Sequence, residues 1–401
     1  MIQDKIFKLK GKVQHYAWGG KDYIPHWLGI ENKEGKPFAE YWMGAHPSAS
    51  STITVNNKDE NLYGLIQQDA GSFIGEKIKQ AFGELPYLFK ILDVKDMLSI
   101  QVHPSKASAA KGFEEEEAIG LAINASNRNY KDKNHKPEVM VALSEFWLLH
   151  GFLAEDKLLN ILKAVPEFKN FEKIFLDKGY KGLYEHVMMM PQDEVDQLLG
   201  PLVEREINRK KNNELTRHDA GWWVAKLYDT GRSAANLDRG IFSIYFFNIV
   251  KTVPDEGVFQ GAGVPHAYLE GQNVELMANS DNVLRGGLTP KYIDVPELMK
   301  HITFEGIKPN VMKGVDLETG EKNYPCPVED FGISKIELST GETYQSESTS
   351  LEIIVIIEGE ANVSGTNNVD AKKGEAVAIL TGETYSISTK NGLNAYKAFV
   401  P

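Results

Sequence analysis

Over the first hundred residues, short aliphatic and β-branched runs alternate with turn residues. Ser51 to Val55 and Leu88 to Leu92 are such runs and predict short strands, separated by stretches containing Gly, Pro and Asn. One helix is expected near Glu60 to Gln68. From Leu98 to His103 polar and apolar residues alternate, so a strand here turns Ser99, Gln101 and His103 to one face and Leu98, Ile100 and Val102 to the other. Between Ala154 and Thr230 the period becomes helical. Ala220, Trp223, Val224, Leu227 and Tyr228 form one apolar stripe, and Val195, Leu198, Leu199, Leu202 and Val203 form another. Gly200-Pro201 is expected to break the second stripe into two helices. The Met188 to Met190 run and the nearby tryptophans read as core packing. After Arg239, Ile241 to Phe247 is a near-continuous apolar run and reads as a buried strand. From about Phe304 a last block, including Ile353 to Ile357, reads as a separate small all-β unit.

Composition bounds these elements. At 401 residues, 42% hydrophobic and 25% charged, the chain has the make-up of a globular protein with two or three domains. Its 44 Lys and Arg against 56 Asp and Glu give a net charge of −12, which argues against nucleic acid or an anionic membrane as a partner. The single cysteine, Cys326, cannot form an internal disulfide and suits a reducing cytoplasm. No signal-peptide-like apolar segment or membrane-length run is seen.

The alternation has a chemical consequence. Gln101 and His103 share a strand face, and Lys136 and Glu138 show the same spacing. An amide oxygen, an imidazole and a carboxylate on adjacent strands make a candidate divalent-metal site, and His266, in the Gly-rich turn from Gly261, is the best candidate to complete it. His46 and His135 read as groups that fix a loop or a ligand rather than coordinate. Asp281, Arg285 and Lys291 lie in a polar loop downstream of His266 and offer a base and two cations for an anionic substrate. The chain has no Walker loop, dinucleotide fingerprint, Gly-x-Ser-x-Gly elbow or Cys-x-x-Cys pair, which removes support for nucleotide-driven and acyl-transfer chemistry. A short internal repeat sets Glu256 to His266 over Glu375 to Tyr385, aligning Gly263 with Gly382 and placing Tyr385 where His266 stands.

Seven motifs, in order along the chain, resemble the type I mannose-6-phosphate isomerase family. They are Tyr16 to Gly19, Glu40 to Ser48, Leu85 to Leu92, Leu98 to Pro104, Asn129 to Glu138, Val264 to Tyr268 and Asn279 to Lys291. The chain departs at Ala17, where many members carry Asp, and at Lys133, where Pro is common. The resemblance implies a mainly β protein with a helical insertion: a cupin-type (jelly-roll) core over 1–150 and 236–305, a helical domain over 151–235, and a cupin-like domain without metal over 306–401. It also implies one zinc ion per chain, held by Gln101, His103, Glu138 and His266. Arg285 matches the active-site arginine, Lys136 a lysine of that pocket, and Lys90 and Ser99 positions linked to substrate phosphate.

The reaction so implied is aldose-ketose isomerisation of a phosphosugar through a cis-enediol. Lys136, Asp281 and His135 are the candidates for proton transfer, with Lys90, Ser99 and Lys291 on the substrate. A monomer or weak dimer is expected. The competing readings are an iron-dependent cupin oxidase, which Gln101 disfavours, and a non-catalytic sugar-binding cupin, which leaves the Gln101 to Glu138 grouping unexplained.

Overall fold

The computed structural model describes residues 3–56, 58–228, 236–317 and 320–401. Two antiparallel sheets carry the chain, of ten and twelve strands among the described residues. The ten-stranded sheet is organised by the long strand His266–Ala278. Its first half pairs with Phe146–Phe152 and Gln101–Val102, and its second half lies between Tyr87–Val94 and Glu138–Ala142. Gly271 makes this change of partners possible. It sits at φ 128°, and a Cβ there would lie 2.6 Å from the Glu145 carbonyl, so only glycine lets the strand turn between its two sets of neighbours.

The last block is not a separate unit. Ile6–Lys10 pairs with Ala376–Ile379 and is itself paired by Thr52–Val55, so strands from the two ends of the chain share the twelve-stranded sheet. A single apolar cluster joins Phe7, Tyr87 and Ile91 with Ile353 and Tyr396. The reason lies in register: strand periodicity marks which face is apolar, but not which distant strand will pair.

The helical stretch forms Glu155–Ala164, Lys169–Met189, Gln192–Lys211 and Ala220–Tyr228; its predicted end at Thr230, and 231–235 of the implied domain, lie outside the described residues. Two expectations are corrected here. Pro201 does not split its helix, because Val195, Leu199, Leu202 and Val203 continue one buried stripe across it. Burial of that stripe outweighs the roughly 3 kcal/mol that an interior proline costs. Ile241 to Phe246 is helical, within Gly240–Phe246, and not a strand. Every residue of this turn is buried, so no polar face reveals its period, and an all-apolar run is ambiguous between strand and helix. The regular strand around Gln101 is also shorter than expected, only Gln101–Val102. The helix near Glu60 is Leu62–Gln68, preceded by the strand Lys58–Asn61. Of the methionine run, Met188 and Met190 are core and Met189 is exposed.

Candidate metal centre and active site

Four adjacent strands build one row of side chains. His266 lies opposite Gln101 on one side and His150 on the other, and Arg285 lies opposite Gln101 on its far side. Directly opposed positions hold their Cβ atoms about 5 Å apart, so the order His150, His266, Gln101, Arg285 is set by the register alone. Glu138 begins the neighbouring strand Glu138–Ala142, and His103 follows the end of Gln101–Val102.

The imidazoles are fixed from behind. His103 Nδ1 is 3.0 Å from the Asn282 carbonyl, and His266 Nδ1 is 2.9 Å from that of Val264. A carbonyl only accepts, so each Nδ1 donates its proton and each Nε2 is left with its lone pair. These lone pairs converge on one carboxylate: His103 Nε2 lies 3.2 Å from Glu138 Oε1, and His266 Nε2 lies 3.3 Å from Glu138 Oε2. Both Nε2 atoms and Gln101 Oε1 are buried without a hydrogen-bond partner. Three acceptors without a donor, gathered around a carboxylate, are costly unless a cation joins them. His103, Glu138 and His266 offer ligand atoms within 4.8 Å of one another, the only such group among the described residues. Two imidazole nitrogens with two oxygens fit a zinc-like divalent ion.

Electrostatics agree with that geometry. Burial, only partly offset by Glu138, pushes His103 down to about 4, so the imidazole is neutral and able to ligate near neutral pH. Burial would raise Glu138, but the Lys136 ammonium is the largest influence against it, and the carboxyl is held well below its usual range. Lys136 Nζ is 3.0 Å from Glu138 Oε1.

The small cavity beside the shell, about 60 Å³, is lined by Gln101, Lys136, Glu138 and His266 and, behind them, by Glu40, Lys90, Tyr268 and Glu275. Lys90 stands directly opposite Glu275 in register, with Nζ 2.9 Å from Glu275 and 3.5 Å from Glu40. Burial disfavours its charge, but the two carboxylates outweigh that and raise its pKa. Its charge is therefore already matched within the core. Glu40, Glu275 and Tyr268 were not singled out from the sequence. The signal was the register, which puts Trp42 and Glu275 on either side of Lys90.

The remaining sequence candidates take separate places. Asp281 is half exposed, 3.6 Å from His46 Nε2, and the proximity of His46 lowers its carboxyl to about 2. Arg285 and Lys291 have no acidic partner among the described residues; burial lowers both, and Arg285 and Lys131 lower Lys291 further. Lys131 thus joins a cationic rim that sequence reasoning had not assembled. Ser99 does not line the cavity, whereas Leu98, expected on the other face, does. His135 turns to Asp330, with Nε2 2.9 Å from Oδ2, in place of the metal shell.

Three side chains that the sequence reading did not single out hold the loops together. Asn282, fully buried, accepts from the Lys131 amide and donates to the carbonyls of Asp132 and Asn134. Asp132 accepts in turn from Ser280 and from the Asp281 amide. Asp238 braces the other side, accepting from the amides of Gly240, Leu288 and Thr289 just beyond Arg285.

Comparison with known proteins gives one picture. Residues 6–154 match the model for phosphomannose isomerase type I, catalytic domain. Mannose-6-phosphate isomerase of Shigella flexneri is 37% identical over 384 residues, covering 94% of this chain and 95% of that protein. The Homo sapiens enzyme of the same name is 30% identical over 420 residues, covering 96% of each. A crystal structure of mannose 6-phosphate isomerase from Salmonella typhimurium, bound to fructose 6-phosphate and zinc, superposes with a TM-score of 0.87 at 35% identity, over 99% of this chain and 100% of that one. With this identity maintained along nearly the whole length, the chain belongs to the type I phosphomannose isomerase family.

Proposed function

We propose that the chain is a zinc-dependent aldose-ketose isomerase that interconverts mannose 6-phosphate and fructose 6-phosphate through a cis-enediol. The observation that carries this reading is the shell itself: Gln101 Oε1, His103 Nε2 and His266 Nε2, buried and unpartnered around Glu138. Its support from kinship is the zinc and fructose 6-phosphate bound by the Salmonella relative. Held by these four residues, zinc supplies Lewis-acid polarisation of a sugar oxygen.

The protein's own groups do the rest. Moving a proton between C1 and C2 needs a base near both carbons and positive charge near the developing oxyanion. Asp281, held ionised down to about 2, has little affinity for a carbon-bound proton. His135 is engaged by Asp330. Lys136, beside the shell and lining the cavity, is the group we assign to proton transfer. Arg285, one strand from Gln101, is assigned to the enediolate charge. We assign the phosphate to the cations Arg285, Lys291 and Lys131, near enough that Arg285 and Lys131 both lower Lys291, because Lys90 is already neutralised by Glu275 and Glu40. Ser99 is left without a substrate role.

No helix is long and apolar enough to cross a membrane. On its single cysteine we place the chain in the cytoplasm. The test is an assay of both directions of the interconversion with and without a chelator. Zinc-dependent turnover is expected, and a folded, zinc-loaded protein without turnover would contradict the reading.

A further inference from the structure

The segment 131–137 delivers Lys136 to the cavity and leads into Glu138, and it is anchored at two places. One is the core itself, through Asn282 and Asp132. The other is His135, whose ring nitrogen lies 2.9 Å from Asp330. Asp330 comes from 195 residues further along the chain and immediately precedes Phe331 and the strand Gly332–Leu338 of the twelve-stranded sheet.

Asp330 is an unusual residue to bury. Its side chain is 4% exposed, Oδ2 meets His135, and Oδ1 has no hydrogen-bond partner. A buried carboxylate with one oxygen unmatched costs stability, so packing alone does not account for it. Its one specific contact is to the residue next to Lys136. Lys136 precedes Pro137, which biases it to extended backbone, where adjacent side chains project to opposite sides. Holding the His135 ring from outside therefore fixes where Lys136 lies on the inside.

We propose that Asp330 is a positioning residue for the reaction, a carboxylate of the C-terminal sheet that acts through His135 to set the place of Lys136. This rests on the isomerase reading. It gives the C-terminal part of the chain a share in catalysis without any contact with substrate.

The experiment compares Asp330→Ala, Asp330→Asn, His135→Ala and the double variant Asp330→Ala with His135→Ala, all zinc-loaded, at a temperature where each is folded. Asp330→Ala is expected to lower kcat by about 10- to 100-fold, the scale of a small misplacement of a catalytic group. KM for mannose 6-phosphate and the zinc content should stay near those of the unaltered protein. Asp330→Asn, which keeps an acceptor oxygen, should recover part of the loss. The double variant should be no worse than either single one, because both remove the same contact. Independently of activity, amide hydrogen exchange over 131–137 in the metal-free protein should be faster in Asp330→Ala, with the strand Glu352–Ser364 unchanged. If Asp330→Ala does not fold, His135→Ala with Asp330→Asn carries the same cycle. Unchanged kcat and unchanged exchange, or losses that multiply in the double variant, would overturn the proposal. If the unaltered protein itself does not turn over, the isomerase reading fails, and the exchange measurement still tests the contact.

Discussion

Two carboxylates, one in each sheet, occupy matching places and have opposite surroundings. Glu138 lies opposite Gln260, and Glu352 lies opposite Ile379. Setting 256–266 over 375–385 brings Gln260 onto Ile379, so the register makes Glu352 the counterpart of Glu138. The same alignment puts Tyr385 in place of His266, and both follow a turn with a left-handed glycine, Gly263 at φ 81° and Gly382 at φ 70°. Gln101, opposite His266, is matched by Ser346, opposite Tyr385.

Around Glu138 one neighbour, Lys136, brings an ammonium, but Gln101 Oε1 and the Nε2 atoms of His103 and His266 are left without protons. Around Glu352 the neighbours bring their own. Tyr385 donates to Glu352 at 2.6 Å, Lys397 donates to Tyr344 at 2.7 Å and pairs with Glu321 at 2.8 Å, and Tyr344 donates to Glu321 at 3.0 Å. Burial raises the Glu352 carboxyl, against the pull of Lys397 and Tyr385. The lesson is that a strand-turn-strand frame does not make a site. One copy keeps three acceptors unmatched beside its lysine, for a further cation to satisfy; the other pairs its buried carboxylates with an ammonium and tyrosine hydroxyls.

The comparison is broken most severely at the ligands. Glu138→Gln should abolish stoichiometric zinc binding and lower turnover by more than about 100-fold. Glu352→Gln should leave one zinc per chain, and metal analysis of the two purified variants separates them. Next in size, Lys397→Met strands Glu321 and Glu352 without their cation and should destabilise the protein by about 3–5 kcal/mol, read by denaturant unfolding, with zinc content retained in the folded protein. Tyr385→Phe removes one donor from a buried carboxylate and should cost about 1–3 kcal/mol, with kcat unchanged.

The smallest effect near neutral pH is in proton linkage. In the metal-free protein His103 and His150 are each lowered to about 4, chiefly by burial, against roughly 6.5 for an unfolded histidine. The unfolded state therefore takes up protons first. Stability should fall as pH drops from about 6.5 toward 4 and lose this dependence below. Bound zinc should carry the part due to His103 to still lower pH, because a ligated imidazole takes up no proton in the folded state. His150→Gln should flatten the slope in thermal melts of the metal-free protein. No histidine lies beyond His301, so the histidine part of this slope does not arise in the Glu352 cluster, whose carboxyl, raised by burial, works in the opposite sense.

What the sequence made legible follows from what is local. The alternation through Gln101 and His103, the spacing of Lys136 and Glu138, and the Gly-rich turn before His266 each sit within a few residues, and the resemblance carried them as a set. The stripes of the helical insertion were readable because one face stays polar. Gly240–Phe246 was not, because burial on all sides erases the period. Lys90 looked free for phosphate because Glu275, 185 residues away, is brought opposite it only by strand pairing. The contact between His135 and Asp330 and the sharing of one sheet by Ile6–Lys10 and Ala376–Ile379 are hidden for the same reason.

The most direct test of the account follows the proton. Mannose 6-phosphate deuterated at C2, turned over by the zinc-loaded protein, should give fructose 6-phosphate with deuterium exchanged into solvent, and a chelator should stop both conversion and exchange. Conversion with the deuterium wholly retained at C1, or no conversion by the folded, zinc-loaded protein, would contradict it.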